Sequence, residues 1–316
     1  MRICVLDDVE RVALAVADWE SLRADEVVAL EDHVADADAL VAVLQRFDVL
    51  VVQRERTTLP RSVIEALPEL RLVVTTGFRN IAIDVDACAE RGVVVSCTGG
   101  VQSPVVEHAW ALILAALRDV PSREASMRVG EWRQTAGRAL EGATLGLLGL
   151  GKTGTRMARI GTAFGMDVVA WSENLTDDLA RERGARWVPR DELFAVSDVL
   201  SLHLLLSKRS RGLVTADDLR RMKPDAWLVN TSRGPIVDEA ALVLALDERW
   251  IAGAALDVFD EEPLPVDHPL RRTPATVLTP HVGYATVENY REWFGLAVES
   301  IAAWRDGAPV RTLTPA

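Results

Sequence analysis

Three residues in the last third of the chain have the types and setting for proton chemistry on a carboxylate-bearing substrate. They are Arg233 in NTSRGP (230–235), Glu262 in DVFDEEP (257–263) and His281 in LTPHVGY (278–284). A guanidinium holds a carboxylate through two parallel hydrogen bonds and fixes its orientation. An imidazole exchanges protons near neutral pH, and a carboxylate hydrogen-bonded to it favours the imidazolium form. No nucleophile accompanies them: the chain has no G-x-S-x-G elbow, and Ser232 has no base beside it in sequence. The other histidines read differently. His33, in an acidic stretch, reads as a surface residue, and His108 and His268 read as structural. His203 ends a strand, which suits packing and cofactor contact equally.

A second constellation is the turn in LLGLGKTGTRMARIGTAFG, where Gly149, Gly151 and Gly154 make G-x-G-x-x-G between a buried strand and a helix. In that context the first glycine permits the tight turn and the second lets backbone approach a pyrophosphate. The third lets helix and strand pack closely, and the anion rests on the helix N-terminus. The next strand, VVAW (168–171), is followed by Ser172, and the acid expected to hold a ribose, Glu173, comes one place later. Glu173 has two readings, at the ribose hydroxyls or in solvent. No Lys or Arg stands between 172 and 180 to hold a 2′-phosphate, so the balance points to NAD, with NADP left open.

The elements that must position these groups alternate along the chain. Apolar runs at 2–6, 48–52, 70–76 and 92–96 read as strands of a parallel sheet buried on both faces. A long helix follows over 103–120, with Ser103 as its N-cap. A second strand series runs 143–149, 166–171, 197–204, 225–230, 251–258 and 275–280, and a last helix spans roughly 284–304. The order implies two doubly wound α/β units, and periodicity leaves open which of them the last helix joins.

Composition excludes several classes of partner. The 316 residues are 49% hydrophobic and carry a net charge of -12 with no Lys/Arg run, which argues against nucleic acid and anionic membrane. The longest apolar run, WALILAAL (110–117), is far short of the ~20 residues of a membrane helix. MRICVLDDVE offers no signal-peptide core. The three scattered cysteines form no metal motif and suit a reducing cytoplasm.

In this order and spacing, LLGLGKTGTRMA, VLSLHLLLSKRSRGL, MKPDAWLVNTSRGPIVDEAAL, GAALDVFDEEPLP and LTPHVGYAT resemble the D-isomer-specific 2-hydroxyacid dehydrogenase family over nearly the whole chain. The resemblance implies a Rossmann cofactor domain at 101–282. It also implies a flavodoxin-like substrate domain split between 1–100 and 283–316, with the active site in the cleft between the two and a homodimer formed through the cofactor domain. The implied reaction interconverts a small D-2-hydroxy acid and its 2-oxo acid. Arg233 would bind the substrate carboxylate and carbonyl, and His281 would give or take the proton while Glu262 orients it. Gly149, Gly151, Lys152, Thr153, Gly154, Thr231, Ser207 and Ser210 would contact the cofactor, and Asp257 would hold the nicotinamide carboxamide. Ser172 stands where NAD-users of the family often have Asp. In the first domain Arg54, in QRERT (53–57), would face the substrate, as would the backbone of Phe78 and Arg79 in GFRNIAID (77–84). Arg79 replaces a glycine of the family pattern, which leaves its side chain either a second cation for the substrate or a solvent group. No metal is implied. The alternative on the same fold is a dinucleotide-sensing binding protein, similar to the corepressors that resemble this family.

Overall fold

The computed structural model describes residues 1–100, 103–132, 136–273 and 275–315. The side chain of Ser103, expected as a helix cap, lies outside the described residues. The chain forms two compact units, Met1–Val101 with Ala285–Ala316, and Gln102–Tyr284.

The first unit is built on five parallel strands: β1 (Arg2–Val5), β2 (Glu26–Ala29), β3 (Val49–Val52), β4 (Leu72–Thr75) and β5 (Val94–Cys97). They lie in the order β2-β1-β3-β4-β5, the flavodoxin arrangement. Every residue of β3 and β4 is buried, which is why all but Thr75 of them are Val or Leu. The last helix, Val287–Arg305, packs on β4 and β5 and so belongs to this unit. Thr286 caps it by accepting the Asn289 N–H at 3.2 Å. Tyr290, Trp293, Phe294, Ala297 and Ile301 form its buried stripe at helical spacing.

The second unit carries seven parallel strands: β6 (Thr144–Leu148), β7 (Asp167–Trp171), β8 (Arg186–Trp187), β9 (Val199–Leu202), β10 (Trp227–Asn230), β11 (Gly253–Leu256) and β12 (Thr276–Leu278). Their order, β12-β11-β10-β9-β6-β7-β8, is the Rossmann sheet with one strand added. Successive residues alternate between two cores on opposite faces: Leu145 and Leu147 point to one, Leu148, Leu200 and Leu202 to the other. Strand order reverses between β6 and β9, the point beyond whose carboxyl ends ligands bind in such sheets. Gly149 and His203 stand at those two ends.

Two features differ from the sequence expectation. The helix expected over 103–120 ends at Leu117; Asp119 takes a left-handed φ of 51°, and a separate helix runs Val120–Arg128. β2 and β8 were not anticipated. Each is a sheet edge, and their residues are half-buried (β2) or exposed (β8), so neither has the apolar run of a central strand. Among the described residues no helix is long and apolar enough to cross a membrane.

Candidate active site

β6 delivers the chain to Gly149 at φ 107°. Its N–H donates to Trp171 O at 2.8 Å, and the His203 N–H donates to Leu148 O at 2.8 Å, so the turn is held from both neighbouring strands. A Cβ on Gly149 would lie 2.5 Å from the His203 carbonyl oxygen, and one on Gly154 would lie 2.2 Å from the Gly149 carbonyl oxygen. Gly154 therefore seats the helix on the turn. Close packing of helix on strand falls instead to Gly161, whose Cβ would stand 2.7 Å from Leu145 Cδ2. Gly151 differs from all three, because nothing lies within 4 Å of its Cβ position. The helix that starts there, Lys152–Ala163, has no side-chain cap and no acid in its first turn, so its leading amides and dipole, beginning at Lys152 and Thr153, are open to an anion. Thr231, just past β10, has a buried hydroxyl with no hydrogen-bond partner among the described residues. An uncapped helix start, an open glycine face and an orphaned hydroxyl fit a dinucleotide at these strand ends. At the end of β7, Ser172 is half-buried and Glu173 exposed.

The turn after β10 is closed by Asn230, whose Oδ1 accepts the Ser232 N–H and whose Nδ2 donates to Arg233 O, both at 3.0 Å. Arg233 is half-buried, with Nη1 donating to Ser232 O at 2.7 Å. A Cβ on the next residue, Gly234, would fall 2.0 and 2.1 Å from the carbonyl carbon and oxygen of Phe259. Only glycine lets the Arg233 turn seat against the loop that carries Glu262. Within that loop the Phe259 N–H donates to Glu262 Oε1 at 2.9 Å, and Glu262 Oε2 lies 2.6 Å from His281 Nδ1.

His281 has a φ of 53° in the loop after β12, and that conformation is fixed from behind. Asp257, 1% exposed just past β11, accepts hydrogen bonds from Thr279 Oγ1 (2.6 Å), Val282 N–H (2.9 Å) and Gly283 N–H (2.8 Å). Burial alone would raise the Asp257 pKa, but hydrogen bonds from His108, Thr279 and Val282 outweigh it and hold the carboxyl below its ordinary value. His108 Nε2 lies 2.9 Å from Thr279 Oγ1 and 3.2 Å from Asp257 Oδ1. His108 thus props the His281 loop across 171 residues of sequence. The only local sign of this is an imidazole within the largely apolar run VVEHAWALIL.

His203 Nε2 sits 2.9 Å from Ser201 Oγ, and desolvation lowers the His203 pKa from 6.5 to about 4, so the ring is neutral at pH 7. Ser207 and Ser210 tie their own turn. The Ser210 hydroxyl donates to Leu205 O at 2.6 Å and accepts the Ser207 N–H at 2.8 Å. Ser210 is buried, and Ser207 is exposed.

In the first unit, Arg54 and the loop after β4 come together. Arg54 has φ 52°, and its Nη1 lies 2.2 Å from where a Gly77 Cβ would stand. Asn80 Nδ2 donates to both Arg54 O and Thr75 Oγ1. Phe78 and Arg79 are exposed, and their N–H groups make no hydrogen bond among the described residues. His33 is exposed, as expected from its acidic neighbourhood, and its ring is also anchored. Its Nδ1 lies 2.8 Å from Oδ1 of the buried Asp7, which also accepts from the Thr57 hydroxyl at 2.6 Å.

The family model described as D-isomer specific 2-hydroxyacid dehydrogenase, NAD binding domain, matches residues 110–283. The chain is 38% identical to a glyoxylate reductase of Aeropyrum pernix, over 92% of this chain and 86% of that protein. It is 34% identical to a D-3-phosphoglycerate dehydrogenase of Bacillus subtilis, over 92% of this chain but 55% of that longer protein. Among solved structures, a phosphoglycerate oxidoreductase from Vibrio cholerae superposes with a TM-score of 0.92 at 37% identity, covering 98% of this chain and 100% of that one. The family match spans the Rossmann unit that holds the Arg233, Glu262 and His281 turns, and the relatives extend it over both units. The chain therefore belongs to the D-isomer-specific 2-hydroxyacid dehydrogenases, an NAD(P)-dependent oxidoreductase family.

Proposed function

We propose that this enzyme reduces a small 2-oxo acid to its D-2-hydroxy acid, and runs the reverse oxidation, with Arg233, Glu262 and His281 as its working side chains. The observation that carries this assignment is the 2.6 Å contact of His281 Nδ1 with Glu262, on a loop against which Gly234 seats the Arg233 turn. The dinucleotide, when bound, supplies or accepts the hydride. Arg233 binds the substrate carboxylate and orients the carbonyl. With its Nδ1–H directed at Glu262, His281 holds the transferable proton at Nε2 and delivers it to the carbonyl oxygen; Glu262 offsets the imidazolium charge. Asp257, Thr279 and His108 position the His281 loop. Gly149, Gly151, Lys152, Thr153 and Gly154 are the groups for the pyrophosphate, with Thr231, His203 and the Ser207–Ser210 turn as neighbours of the cofactor. In the first unit, Arg54 and the open Phe78 and Arg79 amides are candidate groups for an anionic substrate.

The test is a panel of 2-oxo acids, including glyoxylate and hydroxypyruvate, each assayed with NADH and with NADPH. His281→Ala and Arg233→Ala should each lower kcat/KM by about a thousandfold or more while circular dichroism stays unchanged. Full activity in both variants would sink the assignment.

A homodimer through the cofactor unit is part of the same proposal. The helix Val120–Arg128 buries none of its own side chains, and Val120, Met127, Val129 and Trp132 are all at least half exposed. A helix this short draws its stability from packing, and a second copy supplies the missing surface. A cytoplasmic setting fits the three unpaired cysteines, Cys4, Cys88 and Cys97.

A further inference from the structure

The two arginines of QRERT (53–57) have different surroundings. Arg56 donates from Nη1 to Asp7 O at 3.0 Å and forms a two-point pair with Glu10, at 3.2 and 2.9 Å. The Arg54 guanidinium instead lies over Gly77, the residue before the open Phe78 and Arg79 amides, with Glu55 3.6 Å from its Nε. The Arg54 backbone is left-handed, a conformation that a long side chain keeps only where its neighbours hold it.

It is held from both adjoining strands. On the β4 side, the Arg54 N–H donates to Thr76 Oγ1 at 2.9 Å, and Arg54 O accepts from Asn80 Nδ2. On the β1 side, the bonds from the residues around Arg54 converge on Asp7. Asp7 O accepts Gln53 Nε2 at 3.0 Å as well as Arg56 Nη1, and Asp7 Oδ2 accepts the Thr57 hydroxyl at 2.6 Å. His33 Nδ1, 2.8 Å from Asp7 Oδ1, engages the other carboxylate oxygen.

Asp7 is suited to this. It is 2% exposed, so its bonds are shielded from water. Its own φ of 59° is one that Asp tolerates better than most residues. The next residue, Asp8, does only local work, capping the helical turn that follows by accepting the Val12 and Ala13 N–H groups at 3.0 and 3.1 Å. Asp7 reaches instead across 46 to 50 residues of sequence to the segment that carries Arg54.

We propose that Asp7 is a positioning residue for substrate binding: through Gln53, Arg56 and Thr57 it fixes the backbone conformation that lays Arg54 over Gly77. The proposal rests on the reading of Arg54 as a substrate-binding group. A group that holds the carboxylate alike in ground and transition state changes KM rather than kcat. Kinetics at saturating dinucleotide, with the acid of the panel above that is turned over best, therefore test it. Asp7→Gly keeps the backbone carbonyl and accommodates the left-handed φ, and so deletes the carboxylate alone. It should raise KM about tenfold or more, with kcat within about twofold and dinucleotide Kd unchanged. Thr57→Val should do the same, and Thr57→Ser should restore the wild-type KM. Because Asp7 acts through Arg54, Asp7→Gly should raise KM no further in an Arg54→Ala background. A lowered melting temperature with unchanged KM in Asp7→Gly overturns the proposal, and so does an equal rise in KM with and without Arg54. An unchanged KM in Arg54→Ala alone would take Arg54 out of the substrate site and the proposal with it. Turnover of no acid in the panel would instead defeat the dehydrogenase reading itself.

Discussion

Glu262 has both carboxylate oxygens engaged, Oε1 by the Phe259 N–H and Oε2 by His281 Nδ1. Glu262→Gln keeps the shape and the Phe259 contact but turns the other side of the head group into a donor facing Nδ1. The imidazolium then loses its counter-charge. Expected is a fall in kcat of about a hundredfold or more with KM little changed, since proton transfer rather than binding is impaired. An unaltered kcat would make the pair structural. His203 yields a different prediction, in stability. Its pKa is 6.5 in a free chain and about 4 in the fold. Between those values the unfolded chain takes up a proton that the folded ring refuses. The stabilisation is complete above pH 6.5 and declines as pH falls towards 4. At about 1.4 kcal/mol per unit, the wild-type protein should lose about 2 kcal/mol from this group between pH 6.5 and 5. Urea unfolding at the two pH values should show that loss in wild type and its absence in His203→Gln.

At the scale of elements, the glycines separate fold from ligand binding. A Cβ at Gly234 meets the Phe259 backbone, which cannot rotate away. Gly234→Ala must therefore push the Arg233 turn off the Glu262 loop, costing roughly 1–3 kcal/mol of stability along with most of the activity. Gly151→Ala meets nothing within 4 Å and sits at an ordinary φ of -78°. Its melting temperature should match wild type, while dinucleotide Kd rises about tenfold or more, because the added methyl occupies the face where backbone approaches the pyrophosphate. Equal losses of stability in the two variants would contradict this division. The same elements show what the sequence reveals. β3, β4, β6 and β9 are covered on both faces, so burial wrote continuous apolar runs into them, and the polar residues that end β10, β11 and β12 stand out against that background. β2 and β8 are edges with one solvated side, and no such run is required of them. His108 escaped notice because its partner, Thr279, is fixed by packing rather than by spacing along the chain.

For the molecule as a whole, charge and exposed apolar surface point in opposite directions. A net charge of -12 makes copies of the chain repel, which favours a monomer unless a specific apolar contact outweighs it. The helix Val120–Arg128 and the residues after it offer such a contact. Val129 and Trp132 are 74% and 80% exposed, and Arg123 and Arg128 on the same helix add positive charge to an acidic protein. Large aromatic side chains near the centre of an interface carry a disproportionate share of its energy, so Trp132 is the residue to remove. Sedimentation velocity at micromolar concentration should give a dimer for the wild-type chain. Met127→Glu with Trp132→Glu should raise the dimer Kd about a hundredfold or more, because each carboxylate would have to be buried against a copy of itself. Neither residue lies in the Arg233, Glu262 or His281 turns, so the monomeric variant should keep the wild-type far-ultraviolet circular dichroism. A wild-type chain that sediments as a monomer, or a variant that stays dimeric, would move the interface elsewhere.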